Sequence, residues 1–99
     1  MKKLKSPYSK RTYIKIAELF EAMASPKRLE ILNLLKNQEM SVESIAKAMH
    51  VRDANISQHL MVLRFLKFVT RTGTGKSVKY KLAKTEILDS FVVFSKLIK

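Results

Sequence analysis

Two short amphipathic segments, residues 42–49 and 54–66, stand four residues apart and are followed by a stretch of β-branched residues around two glycines, an order that few folds accommodate. In the first segment Val42, Ile45, Ala46 and Met49 fall on one helical face; in the second Ile56, Leu60 and Leu63 recur at i, i+4 and i+7. The connection, residues 50–53, has about the length of the tight turn in a helix-turn-helix. Residues 69–72, the turn Gly73-Thr74-Gly75-Lys76 and residues 77–82 then predict a two-stranded β-ribbon. Gly73-x-Gly75-Lys76 lacks the full phosphate-loop pattern and no helix follows it, so it reads as a hairpin turn. The sequence therefore predicts a mainly α fold with a small β-hairpin, a winged helix-turn-helix in which residues 54–66 form the reading helix.

Three more helices complete the expectation of about five. Ile14, Ala17, Phe20 and Ala24 lie near one face of a first helix over residues 13–23, with Ile16, Leu19 and Met23 widening the stripe. Ser25-Pro26 is a helix start, the serine oxygen capping free N–H groups and the proline occupying the first turn. That second helix runs to about Lys36. Ser41 is expected to cap the third helix, Asp53 either to cap the fourth or to sit at the positive end of its dipole, and Thr85 to cap a last helix over residues 86–98. Residues 1–12 read as a basic N-terminal arm and residues 13–99 as one domain, a size that 99 residues with 46% hydrophobic content supports. Phe65 and Phe68 are expected in the core at the junction with the wing, and Tyr80 as a strand residue packed on it.

The formal charge is +12, and its distribution says more than its size. Residues 54–85 carry Arg64, Lys67, Arg71, Lys76, Lys79, Lys81 and Lys84 without a single acid, and residues 1–15 are likewise acid-free, whereas residues 16–53 are nearly neutral. Positive charge thus gathers on the arm and on the reading helix with its wing, where double-stranded DNA as a partner would require it. The absence of cysteine excludes disulfides, thiolate metal sites and thiol redox sensing. No apolar run reaches the ~20 residues of a membrane span, and no apolar h-region follows the basic start, so no membrane association and a cytoplasmic location are expected. No Ser/His/Asp or paired-carboxylate arrangement stands out; the chain is not expected to be an enzyme or to hold a cofactor.

The last helix places eight apolar residues in thirteen, too many for the core of so small a domain. Since the first helix has the same surplus, a two-fold homodimer through residues 13–24 and 86–98 is expected.

The segments Phe20-Glu21-Ala22-Met23-Ala24-Ser25-Pro26-Lys27-Arg28-Leu29-Glu30-Ile31-Leu32, Ser41-Val42, Ile56-Ser57-Gln58-His59-Leu60 with Leu63, and Val78-Lys79-Tyr80-Lys81-Leu82 resemble the ArsR/SmtB family of dimeric winged-helix repressors. The resemblance covers roughly residues 14–95. It implies a symmetric dimer whose fourth helices enter successive major grooves of a palindromic operator, with wings 69–82 on flanking backbone or minor groove. By position, Ser57, Gln58 and His59 become groove-facing residues. The chemistry agrees: Gln58 can bond adenine bidentately, Ser57 and Asn55 can bond bases or phosphates, and Ala54 or Val62 can touch thymine methyls. Arg71, Lys76 and Lys79 on the wing are the expected phosphate contacts, Arg52 adds one at the helix start, and Arg64 completes the expected DNA-binding set.

The resemblance also implies metal sensing, and here the chain departs from it. Where such sensors place cysteines, this sequence reads Glu39-Met40-Ser41-Val42-Glu43-Ser44; where others place carboxylates with histidines on the last helix, it offers Glu86 and Asp89 and no histidine. Two carboxylates without nitrogen or sulfur ligands are a poor zinc site, so neither metal nor thiol sensing is expected. The effector stays unnamed. Two other functions stand as alternatives: a sequence-indifferent architectural nucleic-acid binder, which the charge alone suggests, and a winged helix used as a protein-interaction module, which predicts no DNA affinity and sits awkwardly with a charge of +12.

Overall fold

A computed structural model describes residues 6–98, with Lys76 described through its backbone alone; Met1–Lys5 of the basic arm and Lys99 lie outside the described residues. Five helices and a hairpin follow in order: α1 (Lys10–Met23), α2 (Pro26–Leu34), α3 (Val42–Met49), α4 (Asp53–Phe65), β1 (Val69–Thr72), β2 (Lys79–Leu82) and α5 (Ile87–Leu97). The winged helix-turn-helix architecture is as the sequence predicts.

Serines start three of the helices. The side chains of Ser9, Ser25 and Ser41 accept from the backbone N–H of Thr12, Arg28 and Ser44, each satisfying a donor that the first turn leaves free. Because Ser9 caps α1, the helix begins at Lys10, three residues ahead of the expected start, and takes in the last residues of the predicted arm. At α4 the cap stays at Arg52, which makes no side-chain capping bond; Asp53 is the first helical residue and serves through the dipole. Thr85 does not cap α5: Glu86 holds that position without a side-chain bond.

The turns are equally local. His50 ends α3 at φ 58° and Lys67 follows α4 at φ 66°. In each case the next residue donates back into the helix, Val51 N to Ala46 O at 3.0 Å and Phe68 N to Leu63 O at 2.9 Å, a six-residue closure that reverses the chain sharply. The second reversal delivers Phe68 and Val69 into the core.

That core is built by Ile31, Leu32 and Leu35 of α2 and its end, Ile45 and Ala46 of α3, Ile56, Leu60 and Leu63 of α4, and Phe68, Val69 and Leu82 beneath the wing. β1 and β2 pair antiparallel with Val69 opposite Leu82 and Thr72 opposite Lys79. The base of the wing is pinned by Met40, which exchanges two backbone hydrogen bonds with Tyr80, at 2.8 and 3.0 Å. β2 starts at Lys79 rather than Ser77, because Gly75–Ser77 close a 3₁₀ turn in which the Ser77 N–H and hydroxyl both donate to Thr74 O. Gly73, at φ 88°, has no room for a side chain: a Cβ there would meet the Ser77 carbonyl oxygen.

The outer helices are packed differently. In α1 only Ala22 is buried, and in α5 no residue is. The 14, 17, 20, 24 stripe of α1 points away from the core, Ile14 and Phe20 being 61% and 62% exposed, while Met23 packs against the core. α5 leans on the domain through Ile87, Leu88 and Phe91 and leaves Val92, Val93, Phe94 and Leu97 open, with Ile98 also open just past its end. The radius of gyration is accordingly 16.3 Å, against about 13 Å for a compact domain of this length. Among the described residues no helix is long and apolar enough to cross a membrane.

Candidate nucleic-acid interface

Burying Ile56, Leu60 and Leu63 turns the opposite face of α4 outward. Ala54, Ser57, Gln58, Met61, Arg64 and Phe65 are all exposed along it, with Arg52 exposed at its start. Of the expected groove residues, then, Ser57 and Gln58 are free to meet a ligand. Val62 is half-buried. Asn55 is half-buried too, and its Oδ1 is shut from solvent without a hydrogen-bond partner. For that oxygen to reach a base or phosphate the side chain would have to turn.

His59 sits in a different environment. It is half-buried on the flank of α4, where its Nδ1 accepts from Arg28 Nε at 3.2 Å, while Arg28 Nη1 donates to the Ala22 carbonyl at 3.0 Å. One guanidinium thus ties the end of α1 to α4 through α2. Burial, then the neighbouring charges of Arg28 and Lys27, hold the imidazole below its ordinary pKa of 6.5. Neutral His59 is the form that accepts this bond.

The hairpin separates the wing cations. Side chains alternate along each strand, so Arg71 and its partner Tyr80 share the face with Val69 and Leu82 that turns towards α4, while Lys79 and Lys81 take the other face. Arg71, Lys79 and Lys81 are exposed, and the side chain of Lys76 lies outside the described residues. Between α4 and the wing an open cleft of about 490 Å³ is lined by Ser57, Met61, Arg64, Phe65, Arg71 and Tyr80 among others. Phe68 and Tyr80 pack as expected, but Phe65 does not: it is 83% exposed, since Leu63 and Phe68 already fill the core at that junction. Sequence reasoning missed its exposure although the signal was present, Phe65 standing seven residues after Gln58 on the outward stripe.

Among the described residues no three His, Cys, Asp or Glu side chains gather to hold a metal ion. Glu86 and Asp89 are exposed, and His59 is engaged by Arg28. The donor set does not fit the metal that the fold family implies.

Comparison with known proteins places this geometry. The description "Bacterial regulatory protein, arsR family" matches residues 25–71, from the cap of α2 to the middle of β1. The transcriptional repressor SmtB homolog of Synechocystis sp. is 34% identical over 76 residues; the match spans 77% of this chain and 58% of that protein. The HTH-type transcriptional regulator Rv0081 of Mycobacterium tuberculosis is 32% identical over 83% of this chain and 73% of its own length. Its crystal structure superposes with a TM-score of 0.77 at 31% identity, covering 91% of each chain. The homodimeric winged helix-turn-helix DNA-binding domain of Mb0332 from Mycobacterium bovis superposes with a TM-score of 0.77 at 25% identity, over 98% of this chain and 90% of the other. The chain belongs to the ArsR family of bacterial regulatory proteins.

Proposed function

We propose that this chain is a dimeric, sequence-specific DNA-binding transcriptional regulator, not an enzyme, that acts as a repressor at a palindromic operator. The observation that carries this reading is the outward face of α4: Ser57 and Gln58 lie exposed between Arg52 and Arg64, on a segment without acids from residue 54 to 85. α4 enters the major groove, Gln58 and Ser57 read bases, and Arg52, Arg64, Arg71, Lys76 and Lys79 bind backbone phosphates, with Asn55 joining once its side chain turns. His59 acts from the flank, orienting α4 through Arg28. The exposed faces of α1 and α5 join two copies, so that two α4 helices lie one DNA turn apart. Without thiols or a fitting metal ligand set, the regulator senses neither metal nor thiol oxidation, and it works in the cytoplasm.

In vitro site selection tests this. It should enrich a two-fold symmetric sequence, and Gln58→Ala should relax preference at one base position of each half-site, costing ~1–3 kcal/mol there. Enrichment of no sequence would favour the architectural reading instead, because specific binders exceed their own non-specific affinity by roughly 10³–10⁷.

A further inference from the structure

The outward stripe of α4 is not uniform. Ala54, Gln58, Met61 and Phe65 follow one another at helical spacing, a small and a polar side chain in the first half giving way to two large apolar ones in the second. Met61 is 70% and Phe65 83% exposed, four residues apart and therefore neighbours on the surface. Neither is a displaced core residue, for Leu60, Leu63 and Phe68 fill the interior behind them. They are also separate from the apolar surplus of α1 and α5. Instead they form one wall of the cleft whose other residues include Arg64 and Arg71.

We propose that Met61 and Phe65 are specificity-determining residues, an apolar reading edge that seats on thymine 5-methyl groups in the major groove. The thymine methyl is the apolar feature that a base pair presents there, and side chains read it by contact rather than by hydrogen bonding. The surrounding charge selects this occupant. Arg64 and Arg71 flank the patch on an acid-free segment, so a polyanion can cover the apolar pair while its phosphates meet the guanidinium groups. At 1.5 Å of rise per residue, Phe65 stands about 10 Å beyond Gln58, roughly three base-pair steps along the groove. The half-site is therefore extended: a base read by the Gln58 amide, then thymine at positions about three steps away.

The inference rests on the DNA-reading role of α4, and the experiment separates the two. The selected duplex, a copy with deoxyuridine for thymidine and a scrambled duplex are titrated at one salt concentration with the wild-type chain, Met61→Ala and Phe65→Ala. The wild type should lose about fourfold in affinity for each contacted methyl removed. Phe65→Ala and Met61→Ala should bind the thymine duplex more weakly by a similar factor and distinguish the uracil copy less or not at all. Both side chains are largely exposed, so thermal melts should match the wild type. If the wild type prefers the selected duplex to the scrambled one but binds the thymine and uracil copies alike, the apolar reading falls while the regulator reading stands. If it prefers neither, both fall. Unchanged DNA affinity and unchanged uracil sensitivity in both variants would assign the patch to a protein partner and overturn the proposal.

Discussion

α4 and α5 are both rich in large apolar residues, yet they spend them in opposite ways. α4 buries Ile56, Leu60 and Leu63 completely and is held at its middle by Arg28 on His59 and just past its end by the reversal at Lys67. α5 buries nothing fully and leaves four large apolar side chains open, with Ile98 a fifth just past its end. The difference teaches where the chain is complete by itself: α4 is fixed by its own domain, whereas α5 presents an apolar face that the domain alone leaves uncovered. On the proposed reading, α4 meets DNA with a face its own domain fixes, and α5 offers the face that a second copy would cover.

The sharpest way to break this contrast is to charge the open face of α5. Phe94→Asp places a carboxylate on a side chain that is 55% exposed, so the isolated domain tolerates it, whereas a dimer interface would have to bury it. Sedimentation should report a monomer. Binding to a palindrome should fall by about 10²–10⁴-fold, because the second α4 no longer binds as part of the same particle. A dimer of unchanged affinity would show that α5 is not the platform.

The matching change in α4 acts on folding. Leu60→Ala removes a fully buried side chain at the centre of the core and should destabilise the domain by ~2–5 kcal/mol, read as a lower midpoint in urea at constant slope. The same substitution at Leu97, 71% exposed, should change stability only in proportion to dimerisation and hence with protein concentration. Equal, concentration-independent losses at both positions would erase the distinction between the two helices.

A smaller effect probes the local signals. Ser25→Ala removes the acceptor for Arg28 N, 3.3 Å away, and should cost ~1 kcal/mol of stability without altering DNA specificity. Such signals explain what was legible beforehand. Ser25-Pro26 and Ser41 announce their helices because capping is written in neighbouring residues, and the phase of Ile56, Leu60 and Leu63 gives the buried stripe of α4 directly. Ser9 is the less legible cap, because the cations after it look like a solvated arm, although Lys and Arg are good helix formers. Phe65 reads as core by its chemistry and as surface by its helical phase, and the phase prevails. The Arg28–His59 bond spans 31 residues of sequence, and no local pattern encodes a contact made only by packing α2 on α4.

That bond gives the smallest and most specific prediction. His59 is held below its ordinary pKa of 6.5 by burial first, then by the charges of Arg28 and Lys27, so the folded protein resists protonating it more than the unfolded chain does. The sign follows from linkage: with the folded value depressed, stability is complete above the unfolded value, declines as pH falls through it, and levels off below the folded value. Protonation also turns Nδ1 from acceptor into donor, so the bond from Arg28 Nε is lost and α4 is untied from α2 and from the end of α1. His59→Asn offers an oxygen in place of Nδ1 without a titrating proton. Melting curves from pH 7.5 to 5.5 should therefore fall more steeply for the wild type than for His59→Asn, and the difference between the two isolates this histidine from every other group that titrates there. Parallel curves would mean that α4 is held by its buried stripe alone, and that the flank contact contributes nothing to the rigidity that sets it apart from α5.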